Sequence, residues 1–170
     1  AHPAYDYAGA LLASRARITI TGPDGERAVP AVDFFSGICS TCLGDAELIT
    51  DIEIDAAEGE RCGGYAKRKE PASGGAVLGV ATEIVFEGGR VRAARLAAHG
   101  LCGSAVRSRA AEDVLAGSEI TDSTISAATD AAGDTLDEAD ILDNKKASAE
   151  YRHQLLGPYV RRSVERATPD

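Results

Sequence analysis

Residues 76–100, AVLGVATEIVFEGGRVRAARLAAHG, decide the fold of the second half of this chain. Two apolar runs, 76–86 and 90–100, lie on either side of Glu-Gly-Gly. Glycines between two strand-like runs are typical of a tight turn. The stretch therefore predicts a long β-hairpin.

The segments around this hairpin complete a predicted sheet and a set of helices. YAKRK at 65–69 indicates a third strand, and EPASGG at 70–75 indicates the loop that joins it to the hairpin. Apolar residues recur at helical spacing in three later segments, which we list as 105–116, the segment after Thr121, and about 146–166. Strands followed by helices predict an α+β fold, with a three-stranded antiparallel sheet backed by a three-helix bundle.

Two local signals refine the helices. Thr121 has the character of an N-cap, and Ile120 and Ile125 occupy the positions of a hydrophobic staple on either side of it. Pro158 lies inside the last helix, where proline costs about 3 kcal/mol, so we expect a kink or a break near Gly157.

For the first part of the chain, the sequence predicts one helix and three strands. We expect a helix at 3–13, a hairpin of strands 17–21 and 26–30 around GPDG, a short apolar turn at 32–35 and a strand at 47–54. In that last strand Leu48 and Ile52 share one face, and Ile49 lies on the other. The polar, glycine-rich stretch 56–64 is the expected domain boundary.

Composition excludes several classes of partner. The chain of 170 residues has a formal net charge of −9 and scattered basic residues, which argues against nucleic acid or an anionic membrane surface as a partner. No apolar stretch approaches the ~18–20 residues of a membrane span. We find no signal peptide and no disulfide framework, so we expect a cytoplasmic protein with free thiols.

The cysteines raise one alternative. Cys39 and Cys42 are separated by two residues in GICSTCLGD, and His99 and Cys102 have the same spacing in HGLCG. A small metal-binding module, or a non-enzymatic interaction module, is therefore a second hypothesis. Two Cys-x-x-Cys pairs would indicate zinc, and the chain has only one, so we assign no metal ligands. Common catalytic motifs are absent as well, and we assign no catalytic residue.

Long pieces of the chain, in uninterrupted order, resemble one protein family. They are AHPAYDYAGALLASRARITITGPDGERAVPAVDFFSG, then AELITDIEI and YAKRK, and finally ASAEYRHQLLGPYVRRSVERA. The chain resembles the FAD-binding (medium) flavoprotein subunit of the molybdenum hydroxylases, of the carbon-monoxide dehydrogenase and xanthine dehydrogenase type. The resemblance implies the second subdomain of a PCMH-type FAD-binding domain at 1–57. It implies the carbon-monoxide dehydrogenase flavoprotein C-terminal domain at 60–167.

Four residues match family positions near the flavin. The resemblance implies that Asp6, Ile49, Tyr65 and Lys67 bind FAD. Each also has an ordinary structural interpretation. Asp6 could stabilise a helix N-terminus, and Ile49 could be an ordinary residue of an edge strand. Tyr65 could lie in a domain interface, and Lys67 could be a solvated cation.

The resemblance also implies a role and a missing part. Members relay electrons from the iron–sulfur clusters of a 2Fe–2S small subunit to an acceptor, after a molybdenum-binding large subunit oxidises the substrate. In the family, two glycine-rich loops hold the FAD pyrophosphate, and this sequence contains neither and has no Met. We therefore expect an N-terminally truncated chain that binds FAD weakly or not at all and is inactive alone.

Overall fold

The computed structural model describes residues 1–56, 59–134 and 136–169. The helices are α1 (Tyr7–Ala13), α2 (Ala31–Phe34), α3 (Arg109–Leu115), α4 (Asp122–Ala131) and α5 (Ala149–Arg166), with a 3₁₀ turn at Glu138–Asp140. The strands are β1 (Arg17–Gly22), β2 (Gly25–Pro30), β3 (Phe35–Gly37), β4 (Ser40–Thr41), β5 (Leu48–Glu53), β6 (Glu60–Lys69), β7 (Ala76–Glu87), β8 (Arg90–His99) and β9 (Val106–Arg107). The α+β fold class is confirmed.

The first sheet has the antiparallel order β2-β1-β5. The predicted hairpin is confirmed, because β1 pairs with β2 from Arg17 opposite Pro30 to Gly22 opposite Gly25. Gly25 takes a positive φ of 111° at the turn, a conformation that glycine adopts at little cost. A two-stranded sheet of β3 and β4 lies between β2 and β5 in the chain.

Strand β5 is present, and neither of its faces is buried. All six of its residues are exposed, with Leu48 at 71% and Ile52 at 45%. The pairing with β1 also carries a bulge, which interrupts the simple alternation of faces. An alternating pattern shows that a strand has two faces, and it does not show that either face is covered.

The second sheet is built on the long hairpin. The antiparallel order is β6-β7-β8-β9, so the three predicted strands are present and a two-residue fourth strand joins them. Gly88 and Gly89 take φ angles of 59° and 77° at the predicted turn. Strand β6 begins at Glu60, so residues 60–64 of the stretch expected to hold the domain boundary belong to a strand. Residues 57 and 58 of that expected boundary lie outside the described residues.

The helices differ from the prediction mainly at their ends. Helix α3 begins at Arg109 because Val106 pairs with Ala98 across β8 and β9. Thr121 is the N-cap of α4 as predicted, since its hydroxyl oxygen accepts from the Thr124 N–H at 3.2 Å.

Helix α5 is continuous through Pro158, so the alternative of a break is wrong. Proline removes the bond to the carbonyl four residues earlier, that of Gln154. Both residues are exposed, so water can satisfy that carbonyl.

Two hydrophobic clusters share the long hairpin. The larger lies between the second sheet and helices α3, α4 and α5. The smaller surrounds α1, β1 and α2, and it includes Ala81 and Ala97, which face each other across β7 and β8. The hairpin therefore contributes to both cores. Within the described residues, no helix is both long and apolar enough to cross a bilayer.

Candidate functional site

Three of the four predicted cofactor residues come together where α1 meets β6. Asp6 immediately precedes α1, and Tyr65 and Lys67 lie two positions apart on β6, which places them on the same face. The Lys67 ammonium donates to both carboxylate oxygens of Asp6 at 2.9 Å. This ion pair joins residues 61 positions apart in sequence.

A buried histidine supports the tyrosine. The Tyr65 hydroxyl lies 3.0 Å from Nε2 of His99, the last residue of β8. The two rings are nearly parallel, with an interplanar angle of 4° and centroids 5.9 Å apart. His99 Nε2 also lies 3.9 Å from the Asp6 carboxylate. We call Asp6, Tyr65, Lys67 and His99 the Asp6 cluster.

Two glycines make the space that His99 occupies. A Cβ on Gly79 of β7 would lie 2.1 Å from Nε2, and a Cβ on Gly9 of α1 would lie 2.7 Å from Cδ2. Both distances are shorter than any real contact, so a larger residue at either position would displace the ring. The fully buried imidazole is therefore held between a helix and a strand.

Burial determines the protonation state of His99. It lowers the pKa of His99 against the opposing effects of Asp6 and the Pro3 carbonyl, so the ring is neutral. Its Nδ1 has no partner in regular hydrogen-bond geometry, although the Pro3 carbonyl is near enough to favour the protonated form.

The pKa of the Asp6 carboxyl and the pKa of the Tyr65 phenol are shifted in opposite directions. Burial alone would raise the pKa of Asp6, but hydrogen bonds from Lys67 and Tyr65 and nearby positive charge lower it overall. Burial and the Asp6 carboxylate raise the pKa of Tyr65. The cluster thus presents an ion pair beside a neutral phenol.

The cluster is open to a ligand on one side. The Asp6 side chain is 48% exposed and that of Lys67 is 20% exposed, and Tyr65 is half-buried. An aromatic face, a fixed cation and a carboxylate are groups that can bind and orient a planar, polar cofactor. They therefore fit an FAD that brings its own chemistry.

Ile49 is not part of the cluster. It lies on β5, 44% exposed, opposite Ile20 of β1, whereas the other three lie just before α1 and on β6. Its role at a cofactor stays a prediction.

Sequence reasoning missed His99, which it considered only as one member of the His-x-x-Cys pair. The available signal was Gly79, a glycine inside an apolar strand, which often marks a close approach of another group. Nothing in the sequence, however, identifies the histidine as that group.

The cysteines do not form a site. All four are free thiols; Cys39 is exposed and Cys102 is buried, and burial raises the pKa of Cys102 to about 11. In the part of the chain that the structure describes, no three His, Cys, Asp or Glu side chains are grouped as a metal would require. The metal-binding alternative has no support from this geometry.

Family models match both parts of the chain. Residues 1–56 match the FAD binding domain in molybdopterin dehydrogenase. Residues 64–167 match the CO dehydrogenase flavoprotein C-terminal domain.

Curated relatives carry medium-chain names. The carbon monoxide dehydrogenase medium chain of Hydrogenophaga pseudoflava is 29% identical over 98% of this chain and 57% of its own length. The nicotine 6-hydroxylase medium subunit of Paenarthrobacter nicotinovorans is 32% identical over 92% of this chain and 54% of its own length. The chain thus spans somewhat more than half the length of these relatives.

A solved structure gives the same picture. In carbon monoxide dehydrogenase from Hydrogenophaga pseudoflava, one chain matches with a TM-score of 0.89 and 30% identity. The match covers 98% of this chain and 57% of that one.

Proposed function

Because the chain belongs to the family of FAD-binding medium subunits of the molybdenum hydroxylases, we propose that it forms part of an electron-transfer flavoprotein. In this proposal it relays electrons from iron–sulfur clusters to an acceptor. The observation that carries the proposal is the Asp6 cluster. It joins three residues that the sequence assigned to the cofactor independently of any contact between them.

The residues of the cluster have distinct tasks in this proposal. Lys67, held by two bonds to Asp6, keeps its positive charge at one fixed place beside the cofactor. Tyr65 stays neutral and offers its ring and hydroxyl, and His99 fixes that hydroxyl from behind. Ile49 would supply apolar contact from β5. When bound, FAD supplies the oxidation–reduction chemistry, so no residue of the chain has to act as an acid or a nucleophile.

We propose a domain division at 1–57 and 60–167, which the separate family matches support. The names medium chain and medium subunit support a larger assembly, for which we propose a molybdenum-binding large subunit and a 2Fe–2S small subunit as partners. Free thiols at all four cysteines are typical of a reducing compartment, and we propose a cytoplasmic location.

A polypeptide of residues 1–170 alone should hold FAD weakly or not at all and should not relay electrons. Its sequence lacks the two glycine-rich loops that, by the resemblance, hold the FAD pyrophosphate. The test is the flavin absorbance of the purified polypeptide, before and after incubation with FAD. The expected result is a flavin content far below one equivalent.

The assembled complex provides the second arm of this experiment. We expect about one flavin per medium chain there. Flavin near one equivalent in the isolated polypeptide would contradict the weak-binding proposal. A complex that contains this chain and no flavin would contradict the proposed function.

A further inference from the structure

Arginines are concentrated in one groove beyond the C-terminal end of α1. Two adjoining cavities, of about 640 and 370 Å³, share Arg15, Asp55 and Arg95 in their walls. The arginines that line them are Arg15, Arg17, Arg61, Arg92, Arg95 and Arg107. We call this the arginine groove. Its volume lies within the range of small-molecule sites.

Carboxylates pair with three of these arginines, Arg61, Arg95 and Arg107. Glu83 is shared by Arg61, at 3.0 Å, and Arg95, at 3.2 Å. Glu112 binds Arg107, and Asp55 lies in the groove wall. Arg15 and Arg17 lie outside these pairs, so the part of the groove around them is positive in a chain whose net charge is −9.

Two of the arginines are available to a ligand. Arg15 and Arg17 are exposed, and the described residues give neither side chain an ion pair or a hydrogen bond. Glu53 faces Arg17 in the register of β1 and β5 but does not bind it. Burial and the neighbouring charges of Arg15 and Arg107 lower the pKa of Arg95, which fits crowding of like charges.

Arg15 occupies a position where glycine would cost less. Its φ is 55°, and the Arg15 and Ala16 N–H groups bond back to the Leu12 and Leu11 carbonyls, which is the Schellman ending of a helix. A non-glycine residue is strained in this left-handed conformation, because its Cβ lies too close to the backbone. The chain therefore has an arginine at this position of the groove, although the backbone conformation there is strained for any residue other than glycine.

One wall of the groove is apolar. Leu12 and Ala16 line the smaller cavity together with Pro30, Ala31 and Val32. Val32 is 53% exposed, an apolar side chain left open to solvent. The larger cavity, by contrast, holds Arg61 and Arg92. The groove thus offers an apolar surface next to a cationic one.

The arginine groove is separate from the Asp6 cluster. Asp6 precedes α1, and Arg15 follows its other end. On β6, Arg61 and Lys67 are six residues apart, which corresponds to about 20 Å along a strand.

From this arrangement we propose that the arginine groove binds an organic phosphate. The phosphate groups bind the guanidinium groups of Arg15 and Arg17, and Arg61 and Arg95, which share the one carboxylate of Glu83, supply further positive charge. Arginine is well suited to this task because its planar fork can donate two hydrogen bonds to one phosphate. The apolar body of the ligand lies against Leu12, Pro30 and Val32. The proposal does not depend on the flavin.

The experiment is calorimetric titration of the chain with three probes: ADP, inorganic pyrophosphate and adenosine. We expect saturable binding of ADP, weaker binding of pyrophosphate, no binding of adenosine, and a loss of affinity as salt is raised. The double variant Arg15→Gly/Arg17→Gln should bind ADP about tenfold more weakly or worse, because it removes both guanidinium groups that donate to the phosphates.

Two controls separate this site from other effects. Arg161→Gln removes a partly buried arginine of α5 that is paired with Glu165, and Lys67→Met changes the Asp6 cluster. Both should leave ADP affinity unchanged. Arg15→Gly should not lower the melting temperature, because glycine relieves the left-handed strain. Three results would each overturn the proposal: no saturable ADP binding, equal binding by the double variant, or adenosine binding as tightly as ADP.

Discussion

At the scale of single residues, the Asp6 cluster holds an ion pair and a phenol in fixed relation through one buried ring. His99 makes no contribution by charge, because burial keeps it neutral. It acts by contact, since its Nε2 lies 3.0 Å from the Tyr65 hydroxyl. The positions of the exposed groups thus depend on a residue that no ligand can reach.

The protonation of His99 should make stability depend on pH. Its pKa is lowered from 6.5 in the fold, so its contribution is complete above 6.5 and is lost as the pH falls through the folded value. We expect the free energy of unfolding to fall below about pH 6.5, by at most about 1.4 kcal/mol per pH unit for this one proton. Urea unfolding between about pH 7.5 and pH 5 measures it.

Two variants test whether His99 causes this loss of stability. His99→Gln should reduce the loss of stability over this pH interval, because the variant has no imidazole at this position. His153→Gln changes an exposed histidine of α5 and should keep the loss as it is in the parent chain. An equal loss of stability in the parent chain and in His99→Gln would refute the assignment to His99.

The sequence carried enough information for part of this cluster. Tyr65 and Lys67 lie two positions apart on a strand, so their common face follows from the geometry of the strand. The partnership with Asp6 comes from the tertiary contact of α1 with β6, which no local pattern encodes. Ile49 shows what the sequence does not predict. The alternating pattern of β5 indicates which face Ile49 lies on, but it does not indicate what covers that face.

At the scale of elements, α5 packs very closely on β6. A Cβ on Gly64 would lie 2.0 Å from the Ser163 carbonyl oxygen and 2.7 Å from the Ala167 nitrogen. The buried Ser163 hydroxyl bonds across the same contact, 2.6 Å from the Thr82 hydroxyl and 3.1 Å from the Val80 carbonyl. Because Gly64 has no side chain, the backbone of α5 can lie directly against the sheet at this point.

Adjacent glycines allow a matched test of this packing. Gly64→Ala should lower the free energy of unfolding by about 1–3 kcal/mol or more, because the helix backbone has to move. Gly63→Ala should change it by less than about 1 kcal/mol, since its Cβ would meet nothing closer than 4.0 Å. Chemical denaturation of both variants gives the comparison, and equal stabilities would contradict the packing.

Elements with their own turn or cap signals were the ones that could be predicted. GPDG and Glu-Gly-Gly located the two hairpins, and Thr121 located the start of α4. Strand β9 was missed because its two residues, Val106 and Arg107, pair through the neighbouring strand and carry no pattern of their own. Helix α5 tolerates Pro158 because its fold exposes that side of the helix, which composition alone does not show.

At the scale of the whole molecule, the β7–β8 hairpin links the two parts. Its residues belong both to the core beneath α3, α4 and α5 and to the smaller core around α1 and β1. The Asp6 cluster lies at this junction, with Asp6 from the first part and Tyr65, Lys67 and His99 from the second. Neither part alone presents the complete cluster, so a cofactor bound there would contact both parts.

The most direct test of the central claim, that the Asp6 cluster contacts the flavin, is the flavin midpoint potential in the assembled complex carrying Lys67→Met. Removing a fixed cation beside the flavin disfavours the added negative charge of reduction, so we expect a more negative potential and a lower flavin content. Lys69→Met, an exposed lysine two residues along β6, is the matched control and should leave both unchanged. A Lys67→Met complex with the same potential and flavin content as the control would contradict the account.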